Sequence, residues 1–174
     1  PSLDADEVRF LVGASWEATA RTRGTVKLGA FERDFDAGER ESSDGYSWDI
    51  QVNYRRKSYS VFDFGTRQVS RETNGLGDFI NSHELSFNWW HQYTRGYRSN
   101  VNMLLAEDDY SGIDRDDIRL ALEFTLGKPL RRWLDLGVGW RYEDRDSDYT
   151  DPVFRNDALS YSRNSLFAFL KVSL

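Results

Sequence analysis

The clearest pattern in the chain runs from Ile118 to Lys128. Ile118, Leu120, Leu122, Phe124 and Leu126 alternate there with Arg119, Ala121, Glu123 and Thr125. Such alternation predicts an extended strand, because successive side chains of a pleated backbone point to opposite faces. The stretch exceeds an ordinary strand of about 5–6 residues. It approaches the roughly 9–11 residues with which a tilted strand crosses a bilayer.

The same two-faced pattern predicts strands at Val8–Thr19, Thr25–Phe35, Tyr46–Arg55, Tyr59–Arg67, His83–Tyr93, Tyr97–Leu105, Leu134–Glu143 and a final one over Leu166–Leu174. In Tyr46–Arg55 the apolar face reads Tyr46, Trp48, Ile50, Val52, Tyr54. Aromatics flanking aliphatics match an interfacial girdle on either side of an apolar band. Trp16, Tyr46, Trp48, Tyr54, Trp89, Tyr97, Trp140 and Tyr142 are the expected lipid-facing girdle. The pattern predicts an all-β protein, an antiparallel transmembrane β-barrel of the outer-membrane type, with residues 1–174 as a single barrel domain or the C-terminal portion of one.

The connections add a second regularity. Short turns alternate with long loops, and the short turns are basic: Arg21, Arg23; Arg55, Arg56, Lys57; Arg95, Arg98; Lys128, Arg131, Arg132. Pro129 fits the turn Gly127–Arg132 better than a central strand. The long loops expected at Asp36–Gly45, Gln68–Ser82, Glu107–Asp117 and Asp144–Ser160 are mostly acidic, and Glu107–Asp117 alone holds six acids against Arg115. Bacterial barrels have short periplasmic turns and longer extracellular loops. The acidic loops are therefore expected outside the cell, and the basic turns and C-terminus in the periplasm of a Gram-negative bacterium. Outer-membrane lipid and lipopolysaccharide would be the surroundings. A soluble, secreted β-sandwich also alternates, but it has no reason to sort loop length and charge onto opposite ends.

The strand count is odd. The first and last strands run towards the same end, so pairing them would make a parallel seam, whereas single-chain bacterial barrels close with even numbers of antiparallel strands. The expectation is that an odd number of N-terminal strands is missing and that about nine strands here form the C-terminal part of a barrel of about 16–18.

Composition narrows the chemistry. The chain has 174 residues, a net charge of −6 and no cysteine, so it holds no disulfide framework, thiolate metal site or thiol nucleophile. No apolar run approaches the length of about 18 residues that a helical span needs. No basic patch interleaved with aromatics points to nucleic acid.

Trp140–Ser147 (WRYEDRDS) followed by Tyr161–Leu174 (YSRNSLFAFLKVSL) resembles the C-terminus of the outer-membrane β-barrel porins found with exopolysaccharide-export genes, and Gly24–Phe35 (GTVKLGAFERDF) resembles an internal strand of that family. The resemblance implies a barrel about twice this length with an export or pore role, and polysaccharide and export-machinery proteins as partners. It implies no cofactor.

The inward face expected to line a pore carries Glu17, Lys27, Arg33, Asp49, Arg55, Asp63, Arg67, Glu84, Arg98, Arg119, Glu123, Asp135, Arg141, Glu143 and Lys171. Both signs are mixed, so no strong ion selectivity is expected. Inward Phe31, Trp90, Phe167 and Phe169 are candidate sugar-stacking surfaces, or else pack an inner layer. Arg141, Glu143, Arg145 and Arg163 are expected to form salt bridges between the last two strands and in their connecting loop. Asp144, Asp146, Asp148 and Asp151 space like a calcium loop, but Tyr149 stands where that loop needs glycine and Arg155 where it needs glutamate. A solvated acidic loop is the simpler reading, and no metal site is expected. His83 and His91 fall on the outward face, away from any inward nucleophile, so catalysis is not expected. The functional expectation is a pore or conduit for polar solutes or a secreted polysaccharide. The alternative is a structural or adhesive barrel with a blocked lumen.

Overall fold

A computed structural model describes residues 5–35, 43–72, 79–149 and 159–172. They form nine strands: β1 (Ala5–Thr19), β2 (Thr22–Phe35), β3 (Ser43–Lys57), β4 (Ser60–Glu72), β5 (Phe79–Gln92), β6 (Arg98–Tyr110), β7 (Asp116–Arg131), β8 (Leu134–Ser147) and β9 (Tyr161–Val172). All nine lie in one sheet in chain order, each antiparallel to its neighbours. The sheet is open: β1 and β9 are its edges and run in the same direction.

The strands are longer than the alternation suggests, and most of the extra length lies at the end bearing the longer connections. Gln68–Glu72, Glu107–Tyr110 and Asp144–Ser147, expected in loops, are strand residues, and so are Asp116 and Asp117. The reason is that apolar alternation reports a strand only where its outer face meets lipid. Past that band both faces carry polar side chains, so a strand there reads as loop. Pro129 is another correction. It lies inside β7 opposite Asp135, beside a register shift before Arg131, the kind of irregularity that accommodates a residue without N–H.

Register and pleat separate two faces. Three hollows, the largest a trough of about 840 Å³ reaching from Ser15 on β1 to Arg119 on β7, open on the polar face. The polar face is therefore the concave one. The convex face leaves large apolar side chains exposed, among them Phe10 (71%), Leu166 (85%) and Leu170 (62%). A soluble sandwich would cover these with a second sheet, and the described residues form only one.

The apolar stripe on the convex face is slanted. Trp16, near the end of the stripe on β1, shares a hydrogen-bonded row that continues through Phe64, Phe87 and Leu122 to Tyr142 and Asn164. Asn164 already precedes the stripe on β9, which begins at Leu166. A level apolar band can run diagonally to the rows only if the strands tilt, as barrel closure requires.

The concave face as candidate functional site

Because the ladders are continuous, concave side chains line up in rows across the sheet. One row joins Glu17, Arg23, Asn53, Asp63, Asn88, Asn102, Glu123 and Arg141. Neighbours along it bond: Arg23 Nε lies 3.1 Å from Glu17 Oε1, Asn88 Nδ2 donates to Asp63 Oδ2 at 3.0 Å, and Arg141 Nε donates to Glu123 Oε2 at 2.8 Å. A second row carries Lys27, Asp49, Arg67, Glu84, Ala106, Arg119 and Arg145. Lys27 Nζ stands 3.6 Å from Asp49, and Arg67 Nε donates to Glu84 Oε2 at 2.7 Å.

Towards the longer connections the network is more buried. Ser82 Oγ donates to Asp108 Oδ1 at 2.6 Å, and Arg119 Nη2 donates to the same oxygen at 2.9 Å. Asp117 accepts from Arg115 Nε at 3.0 Å and from Arg145 Nε at 2.9 Å. Arg145 also donates to the Tyr110 hydroxyl at 2.9 Å, and the Arg115 guanidinium sits 3.9 Å from the Tyr110 ring centre. Asp117 lies on the loop side of the apolar stripe that starts at Ile118, and its convex neighbour is the exposed Asp116. Burial alone would raise its carboxyl, but hydrogen bonds from Arg115, Ser147 and Arg145 override this and hold it at about 2.

All fifteen inward residues expected from the sequence fall on the concave face by register. Arg98 reaches Asp135 at 3.4 Å, Arg33 pairs with Glu7, and Arg55 and Lys171 lie near the short-turn end. Sequence reasoning missed Glu7, Arg23, Arg71, Asp108, Tyr110, Asp117, Arg145 and Arg163 as members of this face. The available signal was the same period of two, continued past the apolar stripe: Ala106, Asp108, Tyr110 on β6 and Asp117, Arg119 on β7.

The expected ion-pair group is only partly assembled. Arg163 Nε donates to Glu143 Oε2 at 2.9 Å across β8 and β9. Arg141 and Arg145 instead turn back to β7, to Glu123 and Asp117. Arg145 is a strand residue, so the two charges expected to join the last pair brace the preceding one. The calcium-like spacing also dissolves. Asp144 and Asp146 are successive convex positions on the extended β8, whose backbone cannot wrap an ion; Asp151 and Arg155 lie outside the described residues.

The inward aromatics have separate surroundings. Arg9 lies 5.8 Å from the ring centre of the buried Phe31. Phe167 lies against Gly139 and Phe169 against Gly137, while Trp90 and Phe169 line a small hollow with Arg98 and Asp135. Phe167 and Phe169 thus cover glycine backbone as part of an inner layer.

Seven of the eight girdle residues, all but Tyr97, fall on the convex side of a strand. Phe62 stacks on Trp89 with ring centres 6.0 Å apart, and Trp140 stacks with Tyr142 at 6.3 Å. The indole N–H groups are satisfied locally: Trp48 donates to Thr66 Oγ1 and Trp89 to Ser60 Oγ, each at 3.1 Å, as an apolar environment requires. Tyr97 stands in the turn before β6, 4.7 Å from Lys128 Nζ. His83 packs against Trp48 at 5.0 Å and His91 against Tyr93 at 4.5 Å.

A one-layer antiparallel meander, apolar on its convex face and charged in its trough, defines a β-barrel wall of the membrane type. The family model described as "Putative beta-barrel porin 2" matches residues 1–170, and the chain belongs to that family. Membership places it in the outer membrane among pore-forming β-barrels. Searches of curated proteins and of solved structures returned no match.

Proposed function

We propose that this chain forms part of the wall of a water-filled outer-membrane conduit for polar solutes, including a secreted polysaccharide. The carrying observation is the continuous polar trough, whose rows of charges and amides cross from β1 to β8. Such a surface hydrates a lumen and offers hydroxyl-rich solutes hydrogen-bond partners along its length.

In lipid the unpaired backbone groups at β1 and β9 need partners. Since both edges run in the same direction, an odd number of further strands would join them antiparallel, giving a barrel of about 16–18 strands whose lumen holds an aqueous channel. The longer connections would face the lipopolysaccharide headgroups outside and the short basic turns the periplasm. Two measurements test this reading. The protein extracted from outer membranes should have an intact mass about twice that of this chain, and in planar bilayers it should give stepwise channel currents. A mass equal to this chain would defeat the closure scheme, and silence in bilayers would favour a structural or adhesive barrel with a blocked lumen.

A further inference from the structure

The two faces of the sheet differ in the sign of their charge. On the convex face, beyond the apolar stripe at the end bearing the longer connections, stand the exposed acids Glu107, Asp109, Asp116 and Asp146. The concave face at the same end is the reverse, and the reason lies in how its ion pairs are shared. Most cross-strand pairs along the whole concave face are one to one: Arg23–Glu17, Lys27–Asp49, Arg98–Asp135, Arg119–Asp108, Arg141–Glu123 and Arg163–Glu143. Three carboxylates among the described residues, however, each hold two guanidiniums. Glu7 contacts Arg9 and Arg33, Glu84 contacts Arg67 and Arg71, and Asp117 contacts Arg115 and Arg145.

Each triad carries one net positive charge. They are distributed across the sheet, on β1–β2, β4–β5 and at β7–β8, all towards the end with the longer connections. Burial strengthens the asymmetry. Glu84 is 5% exposed while Arg67 and Arg71 are 56% and 39% exposed; Asp117 is fully buried while Arg145 is 23% exposed. At Glu84 the carboxylate lies beneath and both guanidiniums face the trough; at Asp117 only Arg145 does so, Arg115 being 5% exposed, and at Glu7 the carboxylate is 23% exposed beside Arg9 at 28% and Arg33 at 10%. Elsewhere on this face Asp63 is held by the neutral Asn53 and Asn88, and Arg55 and Lys171 outnumber it. The chain's net charge of −6 therefore has the opposite sign to the surface a permeating ion would meet.

We propose that the barrel passes anions in preference to cations, with selectivity set by this collar of arginine–carboxylate–arginine triads. The inference rests on the conduit reading and names its solute class: inorganic anions and solutes bearing carboxylate or phosphate groups. A low-dielectric wall lined by one sign of charge concentrates counter-ions at the mouth. Arginine, charged at all working pH values and able to grip carboxylate or phosphate with two parallel N–H donors, suits such a collar.

The test is the reversal potential of the full-length protein in a planar bilayer under a KCl gradient. The chloride-to-potassium permeability ratio should exceed one. It should fall by roughly half in the double variant Arg67→Gln, Arg71→Gln, and likewise in Arg9→Gln on a separate triad, because fixed charge at a mouth sets local ion concentration. Asp146→Asn, on the convex face, should leave the ratio unchanged. Folding of each variant is checked by its heat-dependent gel mobility. A ratio at or below one, or an unaltered ratio in folded variants of both triads, overturns the proposal while leaving the conduit standing. Absence of any channel current overturns both.

Discussion

A Cβ added to Gly137 would stand 2.2 Å from Cζ of Phe169, the residue directly opposite it on β9. The ring occupies the space that a side chain on β8 would take, so this glycine is required by close approach. Gly137→Val should force the ring or the strand to move and cost about 1–3 kcal/mol. Gly96 is a glycine for another reason: its φ is +81°, and a Cβ there would meet no atom within 4 Å. Gly96→Ala should cost about 1–2 kcal/mol through backbone strain alone. A second change, Phe169→Ala, should relieve the part of the Gly137 defect due to the ring, leaving the 2.8 Å approach to the Leu126 carbonyl oxygen, and should leave the Gly96 defect untouched. Urea unfolding from lipid vesicles measures both, and equal rescue would contradict the packing account.

Adjacent residues on β7 test the assignment of faces. Leu122 stands in the middle of the convex stripe and Ala121 beside the trough. Leu122→Arg should destabilise the inserted barrel by about 2–4 kcal/mol, the cost of a basic side chain near the bilayer midplane. Ala121→Arg should cost far less, since its guanidinium enters water near Glu123 and Glu143. Comparable losses for the two variants would mean that the convex face does not meet lipid.

Asp117 predicts an acid-sensitive step. Its carboxyl is lowered from 3.8 to about 2, so its contribution is fully present above 3.8 and is lost as pH falls through about 2. The shift corresponds to about 2 kcal/mol. Unfolding free energy, measured from about pH 5 down to about pH 1 so as to span both pKa values, should decline through this window. Asp117→Asn should lose the step. It should also be weaker at neutral pH, because Arg115 and Arg145 would then share a neutral partner. An unchanged pH profile in that variant would remove Asp117 as the source.

The Glu143–Arg163 pair should matter little to stability. Arg163 is 62% exposed, and water screens such exposed pairs until they add little to stability. A double-mutant cycle over Glu143→Gln and Arg163→Gln should give no coupling beyond the error of the measurement, with register held by the backbone ladder. A strong coupling would show that the pair is shielded from water in the closed barrel.

How much could be read from residues alone differs from element to element. The nine strands, their order and the two-faced arrangement at Ile118–Leu126 or Tyr46–Arg55 were all visible, because the pleat alternates side chains whatever the tertiary surroundings. The strand ends were not. At Glu107–Tyr110 and Asp144–Ser147 both faces carry polar side chains, exposed on the convex side and packed into buried pairs on the concave one, so the apolar signal disappears while the hydrogen-bonded ladder continues. That concealed Asp108, Asp117 and Arg145 as members of the trough and made them look like loop charges.

The sequence by itself therefore determined the period, the strand order and the chemical contrast between the faces, since these depend on neighbours in the chain and on backbone geometry. Only the tertiary structure decided the register between strands, the side on which the sheet curves, and which arginine meets which carboxylate. Those choices are made between residues far apart in sequence. Arg67 and Arg71 converge on Glu84, and Arg115 and Arg145 on Asp117. A nearly even tally of inward charges thereby becomes, among the described residues, three sites where two cations share one anion, buried at Glu84 and Asp117.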